Sequence, residues 1–326
     1  MNDSTMSQRD RIYVAGHRGL VGSAIVRRLR VLGYENLIVR DRTRLDLTDT
    51  RAVDAFFEET RPDFVFLAAA KVGGILANET FPADFLRKNL QIELNVIDAA
   101  YRHRVRKLQF LGSSCIYPKH APQPLREESL LSGPLEPTNQ SYAVAKIAGI
   151  HLCQAYAQQH DFDAIALMPT NLYGPGDNFH PEYAHVVPAL MGRFHEAVRA
   201  KADEVVVWGT GTPLRELLFV DDLADAAVFL MQHYAETEII NVGTGQEITI
   251  RHLAEQIADV VGFRGAIRFD AAKADGTPRK LLDVSRITAL GWRPSTSLAE
   301  GLRATYRWFL EHESERRGLQ TAYSTN

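Results

Sequence analysis

The stretch Gly112-Ser113-Ser114-Cys115-Ile116-Tyr117-Pro118 sets two hydroxyls and a thiol directly after the apolar run Lys107-Leu108-Gln109-Phe110-Leu111. Such a run reads as a strand. Ligands of open parallel sheets bind beyond the carboxyl ends of the strands, so these side chains stand where chemistry is done. Cys115 also has a plainer reading as a buried thiol in a polar turn, because free cysteine is among the most buried residue types. Further along, Tyr142-Ala143-Val144-Ala145-Lys146 puts a phenol and an ammonium one helical turn apart on one face. A phenol with a free pKa of about 10 is a poor acid or base at neutral pH, and a nearby cation favours its ionised form. With Ser113 this makes a Ser, Tyr and Lys constellation in which each residue type has a reason to be present.

The turn Gly16-His17-Arg18-Gly19-Leu20-Val21-Gly22 follows the short apolar run Ile12-Tyr13-Val14-Ala15 and opens a helical pattern from Gly19 to Leu32. Glycines there let backbone approach a pyrophosphate at a helix N-terminus, where free N–H groups and the helix dipole favour anions. The next run, Asn36 to Val39, is followed by Arg40, Asp41 and Arg42. An NAD site usually shows an acidic residue at this point, whereas two guanidiniums suit a 2′-phosphate, so NADP(H) is the expected cofactor. Arg18 is placed to join them, and Asp46 and Leu47 to touch the adenine end.

The elements that must hold these groups alternate in type. A helix is expected over Asp49 to Thr60 with Thr48 as its cap, and a buried strand over Asp63 to Ala70. A long helix follows from Pro82 to Tyr101, with Phe85, Leu86, Leu90, Leu94, Ile97 and Ala100 as its apolar positions. Another helix, Thr138 to Gln158, precedes the strand Ala164 to Met168. Repeated βα alternation with continuous apolar strands predicts an α/β fold: a doubly wound parallel sheet, Rossmann-like, with right-handed crossovers. After Tyr173 the regularity breaks, and a smaller C-terminal substrate-binding α/β region is expected. It holds helices from Val187 to Ala200, Asp221 to His233, Ile248 to Val261 and Leu298 to Glu311, with strands at Val205 to Trp208 and Ile239 to Val242.

The expected division is a cofactor domain over 9–172, with 215–243 returning to it, a substrate region over 173–214 and 244–313, and loose tails at 1–8 and 314–326. A chain of 326 residues, 45% hydrophobic and 24% charged, has ordinary globular composition. Its net charge of −3 gives no general attraction to nucleic acid or anionic membrane. The two cysteines, Cys115 and Cys153, form neither a disulfide framework nor a metal pair, and no signal or membrane-spanning run is visible. A cytoplasmic setting is expected, with no metal.

The glycine turn, Ser113, Tyr142 and Lys146 resemble the extended short-chain dehydrogenase/reductase family, which acts largely on nucleotide sugars. Five longer stretches resemble, more specifically, the branch that epimerises and reduces GDP-4-keto-6-deoxymannose. They are Ala68 to Ile75, Leu111 to Pro118, Pro169 to Pro175, Asp177 to Pro181 and Asp275 to Asp283. The resemblance spans about Arg11 to Leu310. It implies that Cys115 and His185 exchange protons with C3 and C5 of the sugar, whose acidity comes from the C4 ketone. Tyr142 would polarise that ketone and protonate O4 during reduction, Lys146 would hold the nicotinamide ribose, and Ser113 would bind O4. His180 is a rival to His185 on chemistry alone.

Also by resemblance, Ala69 and Ala70, then Leu111, Gly112, Ser113 and Ser114, and finally Pro169, Thr170, Asn171 and Leu172 line the cofactor together with Tyr142, Lys146 and His185. Ser114, Cys115, Arg193, Trp208, Arg215 and Asp275 line the substrate. Arg279 is a further cation for its diphosphate. A homodimer formed through the Pro82 to Tyr101 and Thr138 to Gln158 helices is implied as well. Two other readings stay open at this point: a C4-epimerase or dehydrogenase on another nucleotide sugar, and a non-catalytic NADP sensor.

Overall fold

The computed structural model describes residues 5–180, 184–273 and 275–312. In chain order the elements begin with β1 (Ile12–Ala15), α1 (Leu20–Val31), β2 (Leu37–Ile38), α2 (Thr50–Thr60), β3 (Phe64–Leu67), α3 (Ile75–Thr80), α4 (Pro82–Arg102) and β4 (Lys107–Leu111). They continue with α5 (Gln140–His160), β5 (Ala164–Pro169), β6 (Asn171–Tyr173), α6 (Val186–Arg199), β7 (Glu204–Trp208), β8 (Leu214–Arg215), β9 (Leu217–Phe219) and α7 (Val220–His233). The last are β10 (Ile240–Val242), β11 (Ile248–Thr249), α8 (Ile250–Val261), β12 (Ala266–Asp270), β13 (Arg279–Lys280), α9 (Ser285–Ala289) and α10 (Leu298–Glu311).

Six strands form a parallel sheet in the order β10-β5-β4-β3-β1-β2. Strands β1, β3, β4 and β5 are buried at every position because both faces are covered; β1, β3 and β5 are continuous apolar runs, while in β4 Lys107 and Gln109 are buried by donating to the Tyr234 and Ala227 carbonyls. One face packs on α1 and α7, with Ile25, Leu29, Leu223 and Leu230 in its core. The other packs on α2, α4 and α5 through Phe57, Val96, Ile97 and Ile150. The chain reverses direction across the sheet between β1 and β3, and that switch point opens the crevice in which ligands of such sheets bind. A third core, built on Leu190, Phe194, Leu253, Ile257 and Phe309, gathers α6, α8 and α10 over short strands from the second half of the chain.

Several details differ from the sequence reading. The cap of α2 is Asp49, whose Oδ1 accepts from the N–H groups of Arg51 and Ala52; Thr48 instead donates to Asp46 Oδ1. The strand expected over Asp63 to Ala70 keeps only β3, which frees Ala68 to Ala70 as the loop beside the glycine turn. The buried stripe of α4 runs through Phe85, Asn89, Glu93 and Ile97, whereas Leu94 is turned outward. Ile248 and Thr249 form β11 before the helix starts. Residues 5–8, expected to be loose, are held: Met6 is buried, its carbonyl accepts from Tyr34 Oη, and Gln8 Nε2 donates to the Leu32 carbonyl. The tail at 314–326 lies outside the described residues.

The glycine turn has no spare volume. Gly16 has φ +84°, a left-handed conformation that favours glycine, and a Cβ added at Gly22 would stand 2.2 Å from the Gly16 carbonyl oxygen. Gly22→Ala must therefore displace backbone. It is expected to cost about 1–3 kcal/mol of stability, read as a lowered urea midpoint; an unchanged midpoint would mean that the turn has room to relax.

Candidate active site

The end of β4 and the first turns of α5 meet to form the site. Ser113 takes an extended backbone after the strand, and its Oγ accepts from the Cys115 N–H at 3.2 Å, which fixes the Ser113 side chain against the Cys115 backbone. The Ser113 hydroxyl lies beside the Tyr142 side chain. One turn later Lys146, 2% exposed, donates to the Leu111 carbonyl at 2.9 Å and lies 3.1 Å from Glu93 Oε1 of α4. Its ammonium sits 4.5 Å from the Phe110 ring centroid and 5.9 Å from that of Tyr142.

The sequence reading had the Lys146 cation favouring the ionised phenol, and here the structure differs. Tyr142 is pushed well above the usual phenol range by burial, then by the charges of Cys115 and Glu93. With Lys146 engaged by Glu93 and by a carbonyl, the phenol is held protonated: a proton donor.

Cys115 is half-buried and free of disulfide. Two donors point at its sulfur: Asn139 Nδ2 at 3.4 Å and Lys280 Nζ at 3.7 Å. Neither stood among the site residues expected from sequence. Lys280 lies on β13, 165 residues beyond Cys115, yet within the stretch Asp275 to Asp283 that carries the family resemblance. His185 is the residue before α6 and is exposed to solvent. Desolvation there, followed by the Lys280 charge, pushes its pKa below the ordinary histidine value. Lys280 thus connects the thiol and the imidazole. The backbone N–H of His180 is taken by Asn178 Oδ1; Pro181 lies outside the described residues.

On the cofactor side, α1 has no side-chain cap, and its N-terminus faces the glycine turn. Uncapped N–H groups beside close-packed glycines fit a dinucleotide pyrophosphate. Gly16 approaches Ala69 so closely that a Cβ would come within 2.8 Å of its backbone, so the turn and the Ala69-Ala70 loop form one wall. Asp41, the acidic residue between Arg40 and Arg42, is occupied: Oδ1 accepts from Thr43 and Arg44, and Oδ2 pairs with Arg18 at 3.1 Å. Arg40 lies over the Phe56 ring at 5.7 Å. Asp46 is likewise engaged with Thr48, and the Leu47 carbonyl accepts from Asn95. At the third strand end, Thr170 and Asn171 both donate to the Glu216 carbonyl, and Thr170 is buried.

At the far end of the cleft, Trp208 is 64% exposed and flanked by cations, with Arg193 and Lys273 each 5.6 Å from its ring. Asp275 accepts from Thr210 N and Oγ1 at 2.9 and 2.7 Å. Arg215 donates to the Leu214 carbonyl and packs against Gly276. Side chains alternate along a strand, and Arg279 on β13 is engaged by Glu247 at 2.7 Å while its neighbour Lys280 reaches Cys115. Glu216, fully buried, locks these pieces together: it accepts from the N–H groups of Thr244, Gly245 and Leu282 at 2.7, 2.8 and 2.8 Å. Among the described residues no cluster of metal-ligating side chains is present.

The chain belongs to the NAD dependent epimerase/dehydratase family, whose model matches residues 12–243. It is 64% identical over 303 residues to the probable GDP-L-fucose synthase 1 of Oryza sativa subsp. japonica, covering 93% of this chain and 92% of the relative. It is 56% identical over 319 residues to the GDP-L-fucose synthase of Escherichia coli strain K12, covering 95% and 99%. Among solved structures, a GDP-L-fucose synthetase from Naegleria fowleri bound to NADP superposes with a TM-score of 0.88 at 30% identity, covering 95% of this chain and 97% of that one.

The Lys280 charge lowers the His185 pKa, so removing it must raise that pKa. In Lys280→Met the imidazole titration followed by NMR is expected to move to higher pH; an unchanged midpoint would show that the cation does not reach His185.

Proposed function

We propose that this chain converts GDP-4-keto-6-deoxy-D-mannose to GDP-L-fucose, inverting C3 and C5 and then reducing the C4 ketone, with NADP(H) as cofactor. The observation that carries the reading is a thiol with two donors, Cys115, standing two residues from the Ser113 that lies beside Tyr142. A plain C4 reductase needs only the second set. A thiol and an imidazole are residue types suited to exchanging protons with carbon, once the ketone has made C3 and C5 acidic.

Tyr142 and Ser113 donate to O4, which stabilises each enolate as its charge develops. Lys280 lies beside the thiol and donates to its sulfur. Bound NADPH supplies the hydride that reaches C4. Tyr142 then releases its proton to O4, and Lys146 holds the nicotinamide ribose. Arg193, Arg215, Asp275 and the face of Trp208 hold the GDP moiety. Arg279, engaged by Glu247, takes a supporting place at its edge. The arginines Arg18, Arg40 and Arg42 meet the 2′-phosphate of the cofactor.

The chain also pairs with a second copy through α4 and α5 and works in the cytoplasm. Leu94 and Val144, on these helices, are 55% and 40% exposed, which suits such a contact. No helix among the described residues is long and apolar enough to cross a membrane.

Supplying GDP-4-keto-6-deoxymannose and NADPH and identifying the product sugar by NMR tests the whole reading. GDP-L-fucose is expected, and a product reduced at C4 but retaining the manno configuration at C3 and C5 would refute it. In Cys115→Ser, epimerisation should fall by about a hundredfold or more, since acid–base groups commonly contribute 10²–10⁴-fold, while NADPH still binds; full epimerisation would remove the thiol from the mechanism. Replacing Arg40 and Arg42 together by Ala is expected to weaken NADPH at least tenfold (~1.4 kcal/mol) with little effect on NADH. Equal weakening of both would make them surface charges.

A further inference from the structure

The buried stripe of α4 contains a carboxylate that the chemistry described so far does not use. Glu93 is 2% exposed, and its Oε1 stands 3.1 Å from Lys146 Nζ. No donor other than Lys146 reaches either carboxylate oxygen. Burial pushes the Glu93 carboxyl above the usual range and the Lys146 charge opposes that rise, so the Lys146 charge is what the carboxylate answers to. The fold makes room for it. A Cβ on Gly149 of α5 would lie 3.0 Å from Glu93 Oε2 and 2.5 Å from the Phe110 ring, so only glycine lets α5 close over the pair.

The groups facing Glu93 come from two elements. On α5 they are Lys146, Tyr142 and Cys153, whose thiol is pushed up by burial and by Glu93; from β4 the Phe110 ring lies against Lys146. Tyr142 is faced in addition by Cys115 and the Ser113 hydroxyl from the β4 end.

We propose that Glu93 is a positioning residue for the reduction step, its carboxylate anchoring the Lys146 ammonium and keeping both protons on the Tyr142–Lys146 pair. The proposal rests on the reductase reading above. In that step C4 gains a hydride, O4 gains the Tyr142 proton, the ketone becomes an alcohol, and the phenolate takes a proton back from solvent. An ammonium alone beside the phenol would favour phenolate, which has no proton to give. A negative charge behind both groups opposes the loss of either proton. The Glu93 charge thus raises the pH at which the Tyr142 proton leaves.

Glu93→Gln keeps the shape and removes the charge; Glu93→Asp keeps the charge. NADPH oxidation is measured against pH, and isotope-edited NMR of tyrosine Cζ and lysine Cε follows the pair in the free protein. In Glu93→Gln the alkaline limb of the rate is expected to move to lower pH by about one unit or more, with the first titration of the pair moving alike, while Glu93→Asp stays near wild type. A slower Gln variant with an unshifted limb and titration would overturn the proposal, as would equal displacement in both variants.

A further measurement needs no variant. NMR of the Glu93 carboxyl in the wild-type chain is expected to find it ionised throughout the active pH range, and a protonated carboxyl at neutral pH would overturn the proposal. These titrations use no substrate. Failure of the wild-type chain to turn over GDP-4-keto-6-deoxymannose would therefore strike the functional reading and leave them standing.

Discussion

A single buried contact fixes the geometry on which the rest depends: the Lys146 ammonium donating to the carbonyl of Leu111. It ties the second turn of α5 to the last residue of β4, and so brings Tyr142 to the strand end where Ser113 and Cys115 project. A charge so deeply buried is tolerable only if it is compensated. The Leu111 dipole, the Phe110 ring and Glu93 supply that compensation from three directions. The same arrangement leaves the phenol protonated, which is the state that a reductase requires of it.

The second half of the chain completes the site by delivering Lys280 to Cys115 and His185. It does so with very little regular structure, since β8, β11 and β13 have two residues each. Strands so short are not self-sustaining, and Glu216 is what holds them in register. Its carboxylate gathers N–H groups from the loop after β10 and from Leu282, two residues beyond Lys280. The cofactor-side sheet and the lobe at the far end of the cleft are thereby joined at one fully buried side chain. An acid in such a place is retained because backbone N–H donors meet both of its oxygens.

The contiguous signals were legible without coordinates. The glycine turn, the Ser113 strand end, the Tyr142 and Lys146 pair, and the long helices all follow from spacing and apolar runs. What escaped were contacts made across the chain. Lys280 meets Cys115 over a separation that no local pattern records, and Asn139 lies just outside the Tyr142 motif. Glu93 and Asn89 were hidden for a different reason: polar residues on α4 read as solvent-facing, so the apolar stripe was placed one position over, through Leu94. Asn89 is buried because it clamps the Lys71 backbone through both its carbonyl and its amide, and Glu93 because it meets Lys146. Arg279 and Lys280 show the limit most sharply. Adjacent cations on a strand point to opposite sides, and only the fold tells which one faces the thiol.

Carbon-acid chemistry and hydride chemistry are drawn here to one strand end but assigned to different groups, and the hydrogens of the product record that division. The most direct measurement is to run the complete reaction in deuterium oxide with unlabelled NADPH and to map the product by NMR. Deuterium at both C3 and C5, with protium at C4, is the outcome expected. Protium retained at C3 or C5, or deuterium appearing at C4, would contradict the account.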